Sequence, residues 1–209
     1  MTAIPLMIDL DGKRVIVVGG GAVAERRIRA LLESGAHLTV ISPDVTEAIY
    51  TLWQEGAVDW RQKRVSGGDL SDAFLIVTAA NDLEVNQFVA ARAPANALIN
   101  NASDAERGNT QFPSFFNRGR LSLSVSTNGA SPMLTANIKR DLEAQFDKRW
   151  TGYVDFLYEC RQLLKRIRLP ENEQRLILQQ ILSENYYHHA NRQIMLNWLA
   201  NEPEGEDAQ

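Results

Sequence analysis

Three observations predict an α/β protein. Short apolar runs rich in valine and isoleucine, at 15–18, 37–42 and 73–79, alternate with segments of helical periodicity; this is the pattern of a parallel sheet buried on both faces. Three glycines, Gly19, Gly20 and Gly21, stand directly between the first run and the first helix. Near Phe112-Pro113 the pattern changes, and a strand of strict apolar–polar alternation is followed by helical spacing alone. The expected organisation is a Rossmann-like parallel sheet at 1–112, a small α+β strand–helix region at 113–149 and a helical C-terminal domain at 150–209.

Each element has a local reason. Met7, Ile8 and Leu10 predict a short edge strand before the Asp11-Gly12 turn. Val15 to Val18 are β-branched or apolar throughout and predict a doubly buried strand. Ile28, Leu31 and Leu32 give the next helix one apolar face, and Ser34-Gly35 ends it. His37 to Ser42 is the second strand. Val45 to Glu55 reads as a helix with Ile49 and Leu52 on one side, and Val58 to Val65 as a strand in which Trp60 packs. Ala73 to Ala79 and Ala97 to Asn100 are further strands, with a helix at Leu83 to Ala91 between them.

Leu121 to Thr127 alternates Leu121, Leu123 and Val125 with Ser122, Ser124 and Ser126. Asn128-Gly129 is a turn, and Ser131-Pro132 starts a helix with serine as cap and proline in the first turn. Leu134, Ile138, Leu142 and Phe146 then recur every four residues. A strand with one open face and a helix with one apolar stripe need a partner layer. A homodimer interface is expected here, with an intrachain contact as the alternative. Tyr153, Leu157, Cys160, Leu164 and Ile167 follow helical spacing until Leu169-Pro170 breaks it; Glu171 to Leu182 and Ala190 to Leu199 predict two more helices. Glu202 to Gln209 is acidic and reads as a frayed tail.

The first strand–helix–strand unit carries chemistry. Counted from Gly19 it reads G-x-G-x-x-A, ending at Ala24. Gly19 allows the tight turn, Gly21 lets a backbone approach a pyrophosphate, and Ala24 lets helix and strand pack closely. The helix start offers N–H groups to an anion. The expected cofactor contacts are Gly19, Gly21, Ala22, Val23 and Ser42. Thr78, Ala79 and Ala80 join them at the strand end where such sheets place their ligand crevice. The residues alone do not separate NAD from NADP. Ser42-Pro43 stands where a ribose-binding acid is usual, Asp44 comes two residues late, and no arginine is adjacent in sequence.

Composition excludes several classes. A net charge of −4 gives no general reason for nucleic-acid binding. The first residues lack a signal-peptide pattern, and no apolar run reaches the roughly 18 residues of a membrane helix, so a cytoplasmic protein is expected. The single cysteine, Cys160, forbids an internal disulfide and reads as a structural thiol. His37, His188 and His189 form no metal-ligand spacing, so no bound metal is expected. Charge is uneven: Pro113 to Arg175 holds eleven Lys or Arg against seven Asp or Glu, a local +4 that leaves −8 elsewhere. The stretch reads either as solvated helix faces or as a surface for a polyanion.

Four stretches, VVGGGAVAERRIRALLESGAHLTVISP, IVTAANDLEVN, INNASDAERGNTQFPS and LSVSTNGASPML, run in order from Val17 to Leu134. Together they resemble the precorrin-2 dehydrogenases of sirohaem biosynthesis, including the N-terminal part of the sirohaem synthases. No methyltransferase domain follows, so the chain looks like the stand-alone form. The resemblance implies NAD as cofactor and oxidation of precorrin-2 to sirohydrochlorin. This tetrapyrrole substrate bears eight carboxylates, which suits the basic stretch. Some members of the family also insert ferrous iron, so a bifunctional dehydrogenase and ferrochelatase is one alternative; a non-catalytic NAD- or tetrapyrrole-binding protein is another.

The family's candidate base is a carboxylate in a stretch that often reads N-x-x-D or N-x-x-D-D. Here it reads Asn100-Asn101-Ala102-Ser103-Asp104, with serine in the first acid slot and Asp104 in the second. The resemblance thus implies Asp104 as general base, with a turn or capping aspartate as the plain alternative. By the same resemblance, Asn101, Ser103, Ser126, Thr127, Asn128, Gly129 and Ser131 are the expected substrate contacts. A generic short dehydrogenase is disfavoured, because no Tyr-x-x-x-Lys pair is present.

Overall fold

The computed structural model describes residues 4–102, 104 and 107–203. The chain forms two compact units, Met1–Phe112 and Pro113–Gln209. The first is built on five parallel strands: β1 (Arg14–Val18), β2 (His37–Ile41), β3 (Asp59–Arg61), β4 (Leu75–Thr78) and β5 (Leu98–Asn101). Their order is β3-β2-β1-β4-β5. The α/β class is therefore as the apolar runs predict.

Three helices belong to this unit: α1 (Ala22–Leu31), α2 (Glu47–Gln54) and α3 (Leu83–Arg92). The central strand explains why its run is continuously apolar. Val15 and Val17 pack with Ala24, Ile28, Leu31 and Ile49 on the α1–α2 side. Ile16 and Val18 pack with Leu70, Ile76 and Val89 on the other. The chain moves outward from β1 to β3, then returns to β4 on the opposite side of β1. That reversal creates a switch point at the carboxyl ends of β1 and β4, where an open sheet binds ligands.

Two expectations need correction. Met7, Ile8 and Leu10 form no strand; residues 4–10 are irregular and Met7 is 77% exposed. The segment joins neither edge of the sheet, β3 or β5, and of its apolar residues only Leu10 packs against the core. The strand expected at 58–65 shortens to Asp59–Arg61, because the chain turns at once: the Lys63 N–H donates to the Arg61 carbonyl at 2.8 Å. A 3-10 turn at Gly67–Leu70 follows.

The second unit opens with an antiparallel hairpin, β6 (Ser114–Arg118) and β7 (Leu121–Val125), around Gly119 at φ +59°. The sequence reading had no strand at 114–118. Phe116 is the buried member there, and its partner across the hairpin is Leu123. Helix α4 (Pro132–Gln145) packs on this hairpin, which gives β7 a partner layer inside its own unit. Helices α5 (Arg149–Leu164), α6 (Glu171–Gln180) and α7 (His189–Asn201) complete the unit. Their core holds Tyr153, Phe156, Cys160, Leu164, Ile181 and Leu199. Most of the expected tail, 204–209, lies outside the described residues.

Candidate active site

The glycine turn is shaped by what it touches. Gly19 has φ +119°, a left-handed backbone that favours glycine, and a Cβ there would strike the Ala79 carbonyl. Hydrogen bonds pin both chains: Gly19 N–H to the Ile41 carbonyl at 3.1 Å, and Ala79 N–H to the Val18 carbonyl at 2.8 Å. At Gly20 a Cβ would strike the Asp44 carbonyl, whereas at Gly21 it would meet nothing within 4 Å among the described residues. Close packing thus requires the first two glycines, and the third leaves an open flank. Helix α1 starts beside that flank. Its cap residue, Gly21, makes no side-chain capping bond, so the first-turn N–H groups around Ala22 and Val23 have no such acceptor.

The other strand ends converge on the same edge. Ser42 is buried, and its hydroxyl donates to the Asp44 carbonyl at 2.7 Å. Its own carbonyl accepts from Trp60 Nε1 at 3.0 Å, and its N–H donates to the Arg61 carbonyl at 3.3 Å. The sheet thus brings an arginine beside β2 that sequence adjacency does not show. At the end of β4, Thr78 is fully buried and its hydroxyl has no hydrogen-bond partner among the described residues. Asn86, on α3, clamps the next peptide: its Oδ1 accepts from Ala80 N–H at 3.2 Å and its Nδ2 donates to the Ala80 carbonyl at 2.9 Å. Asn86 was not singled out in the sequence; an asparagine among apolar positions of a helix was the available signal.

Register pairs Thr78 with Asn101, which sets the end of β5 beside that of β4. Asn101 is buried, and its Oδ1 accepts from the Asp104 N–H at 3.1 Å. The Asp104 carboxylate is 38% exposed and bonds Arg107 through Oδ2 at 3.0 Å. Ser103 lies outside the described residues. On α1, the Arg27 guanidinium sits 5.0 Å from the centre of the Phe112 ring, and its buried Nε has no hydrogen-bond partner among the described residues. Burial, with neighbouring Arg26, lowers the Arg27 pKa from its ordinary value.

The segment 126–131 joins β7 to α4 in the second unit. Asn128 and Gly129 take left-handed backbones, φ +50° and +85°. The Ser131 hydroxyl caps α4 by accepting from the Leu134 N–H at 3.2 Å. Thr127 Oγ1 accepts from the Ser131 N–H at 3.1 Å and lies 3.1 Å from Thr135 Oγ1. The Ser126 hydroxyl accepts from the Asn128 N–H at 3.1 Å. These hydroxyls therefore order their own loop, whatever else they contact. Among the described residues, no group of three His, Cys, Asp or Glu side chains is placed to hold a metal.

The uncapped helix start beside the open flank of Gly21 fits a pyrophosphate group. With the switch point of the sheet, it defines a dinucleotide-binding α/β protein. Comparison with known proteins sharpens this. The family described as putative NAD(P)-binding matches residues 6–114, the sirohaem biosynthesis protein central family 118–145, and the SirC C-terminal domain 150–194. The precorrin-2 dehydrogenase of Priestia megaterium is 43% identical, covering 87% of this chain and 90% of that protein. The one from Bacillus subtilis (strain 168) is 35% identical over 76% of this chain and 98% of its own length. A solved structure described as SirC, precorrin-2 dehydrogenase, superimposes with a TM-score of 0.82 at 40% identity, covering 95% of this chain and 99% of that one. The chain belongs to the precorrin-2 dehydrogenase family.

Proposed function

We propose that this protein oxidises precorrin-2 to sirohydrochlorin with NAD, as one step of sirohaem biosynthesis. The observation that carries the reading is family membership across most of the chain together with an uncapped glycine turn at the switch point. Gly19, Gly21, Ala22 and Val23 would hold the pyrophosphate of NAD, with Ser42 toward the adenosine end and Thr78, Ala79 and Ala80 along the crevice. NAD, when bound, accepts a hydride from the macrocycle. The protein must position the substrate carbon and take up a proton, whose former bonding pair stays in the macrocycle as the new double bond.

Asp104 is the proposed proton acceptor. It follows β5 directly, its exposed carboxylate is oriented by Arg107, and Asn101 pins its backbone. Asn101, Ser103 and the loop of Ser126, Thr127, Asn128, Gly129 and Ser131 are the proposed substrate contacts. The substrate's carboxylates suit the basic stretch. Among the described residues, Lys148, Arg161, Lys165, Arg166 and Arg175 are exposed and make no ion pair. Residues 113–149 are proposed to form a homodimer interface and 150–209 a helical domain. Helix α4 supports the first, because Met133, Leu134 and Ile138 are exposed at 77%, 50% and 36%. A cytoplasmic setting is proposed as well. No helix among the described residues is long and apolar enough to cross a membrane.

The deciding experiment is anaerobic incubation with precorrin-2, with NAD and NADP in parallel, followed by absorbance. Sirohydrochlorin formed with NAD is the expected result; no product with either nucleotide would defeat the reading.

A further inference from the structure

We propose that Asn86 is a positioning residue for the nicotinamide half of NAD: its side-chain amide fixes the Ala79–Ala80 peptide that faces the glycine turn. The inference rests on the dehydrogenase reading above. A dinucleotide lies across the switch point of such a sheet, with its adenosine half toward the end of the second strand. The other half therefore extends toward the end of β4, which Ala79 and Ala80 follow directly.

The strand ladder does not hold that peptide by itself. Strand β4 is paired with β1 and β5 through Thr78. The Ala79 N–H still reaches the Val18 carbonyl, at 2.8 Å, and the Ala102 N–H reaches the Thr78 carbonyl, at 2.9 Å. Ala80 lies past both bonds, because β1 has given way to Gly19 and its left-handed turn. Asn86 supplies what the strands do not. Its Oδ1 accepts from the Ala80 N–H at 3.2 Å, and its Nδ2 donates to the Ala80 carbonyl at 2.9 Å. Two residues of an antiparallel pair exchange bonds in the same way. The same peptide faces the glycine turn: a Cβ on Gly19 would strike the Ala79 carbonyl and the Ala80 nitrogen. One peptide group thus meets both the glycine turn and the Asn86 amide.

Neither the start of α3 nor its packing explains an asparagine at this position. The helix is already capped, since Asp82 Oδ1 accepts from the Glu84 N–H at 2.9 Å. Asparagine is a poorer helix former than leucine. Asn86 is only 1% exposed, and Val85 and Val89 on the same helix pack in an apolar cluster with Val18 and Ile76. Burying an amide in such surroundings costs free energy unless its polar atoms are bonded. Its oxygen and its nitrogen are both bonded to Ala80. With its N–H and carbonyl so occupied, Ala80 keeps one backbone position for the cofactor to pack on.

The test compares dissociation constants for NAD and for ADP, which lacks the nicotinamide half, by isothermal titration calorimetry on the full chain. Asn86→Leu removes both bonds and keeps the position filled. It is expected to weaken NAD about tenfold while ADP stays within about twofold of wild type. Asn86→Ala, with the side chain best suited to a helix, should give the same split. If circular dichroism shows Asn86→Leu unfolded, Asn86→Ala decides alone. NAD and ADP weakened alike would make Asn86 a residue of general stability, and that result overturns the proposal. So does NAD affinity unchanged in a folded variant; either outcome leaves the dehydrogenase reading standing. A wild-type protein that does not bind NAD overturns both.

Discussion

Asp104 is where sequence and geometry meet least tightly. The resemblance selects it by its place in a short acidic pattern that here has serine in the first slot. The structure puts its backbone three residues beyond the end of β5, with one carboxylate oxygen on Arg107. Asp104→Ala is expected to lower turnover by about 10²-fold or more while NAD binding stays nearly intact, as for the loss of a general base. Wild-type turnover in that variant would remove Asp104 from the chemistry. Asp69 makes a different prediction. Burial pushes its pKa up, but hydrogen bonds from Lys63 and from the Ser66 hydroxyl and N–H outweigh this and hold it down at about 2, against an ordinary 3.8. A carboxyl group with a depressed folded pKa adds stability that is complete above pH 3.8 and lost as pH falls toward 2. Acid unfolding followed by fluorescence should show Asp69→Asn lacking about 2 kcal/mol of that pH-dependent term. Cys160 is fully buried and its thiol is pushed up to about 12, chiefly by burial, in keeping with a structural thiol.

At the scale of elements, the unit from β1 to β2 was legible because its signals are local. A β-branched run, a glycine turn and a helix with an apolar face all lie within thirty residues. The division of labour among the glycines was less legible. Gly19 proves to be a packing residue as much as a turn residue, because β4 passes against it. Gly19→Ala combines a strained left-handed backbone with a collision on the Ala79 carbonyl. It should cost about 1–3 kcal/mol in thermal or urea unfolding and weaken NAD binding in the same samples. Full stability would show that the turn relaxes away from β4. Strand β6 escaped the sequence reading because Ser-Phe-Phe-Asn-Arg has no clean period of two, and its pairing with β7 is what makes it a strand. The opposite error, a strand at Met7 to Leu10, arose from counting apolar residues that the fold leaves largely exposed and outside the sheet.

For the molecule as a whole, oligomeric state is the open property with the clearest handle. Helix α4 covers its own hairpin, yet it keeps Met133 and Leu134 half or more exposed. Exposed apolar residues in one stripe are a reason for a second chain to cover them. Leu134→Asp with Ile138→Asp should convert a dimer into a monomer in analytical ultracentrifugation, with helical content unchanged by circular dichroism. A wild-type monomer, or a double variant that remains dimeric, would move the interface elsewhere.

The sequence by itself determined the α/β class, the nucleotide turn, the serine cap of α4 and the family, because periodicity, turn chemistry and motifs are written in residues close along the chain. Tertiary structure alone decided which strands are neighbours. It therefore decided that the Arg61 carbonyl meets the Ser42 N–H, that Lys63 pairs with Asp69, that Asn86 clamps Ala80, and that Arg107 holds Asp104. The contact of Arg61 with Ser42 spans a whole helix and forms only when β2 and β3 pair, so no local pattern encodes it. The others join residues close along the chain, but in loops whose path is fixed by the strands that they connect.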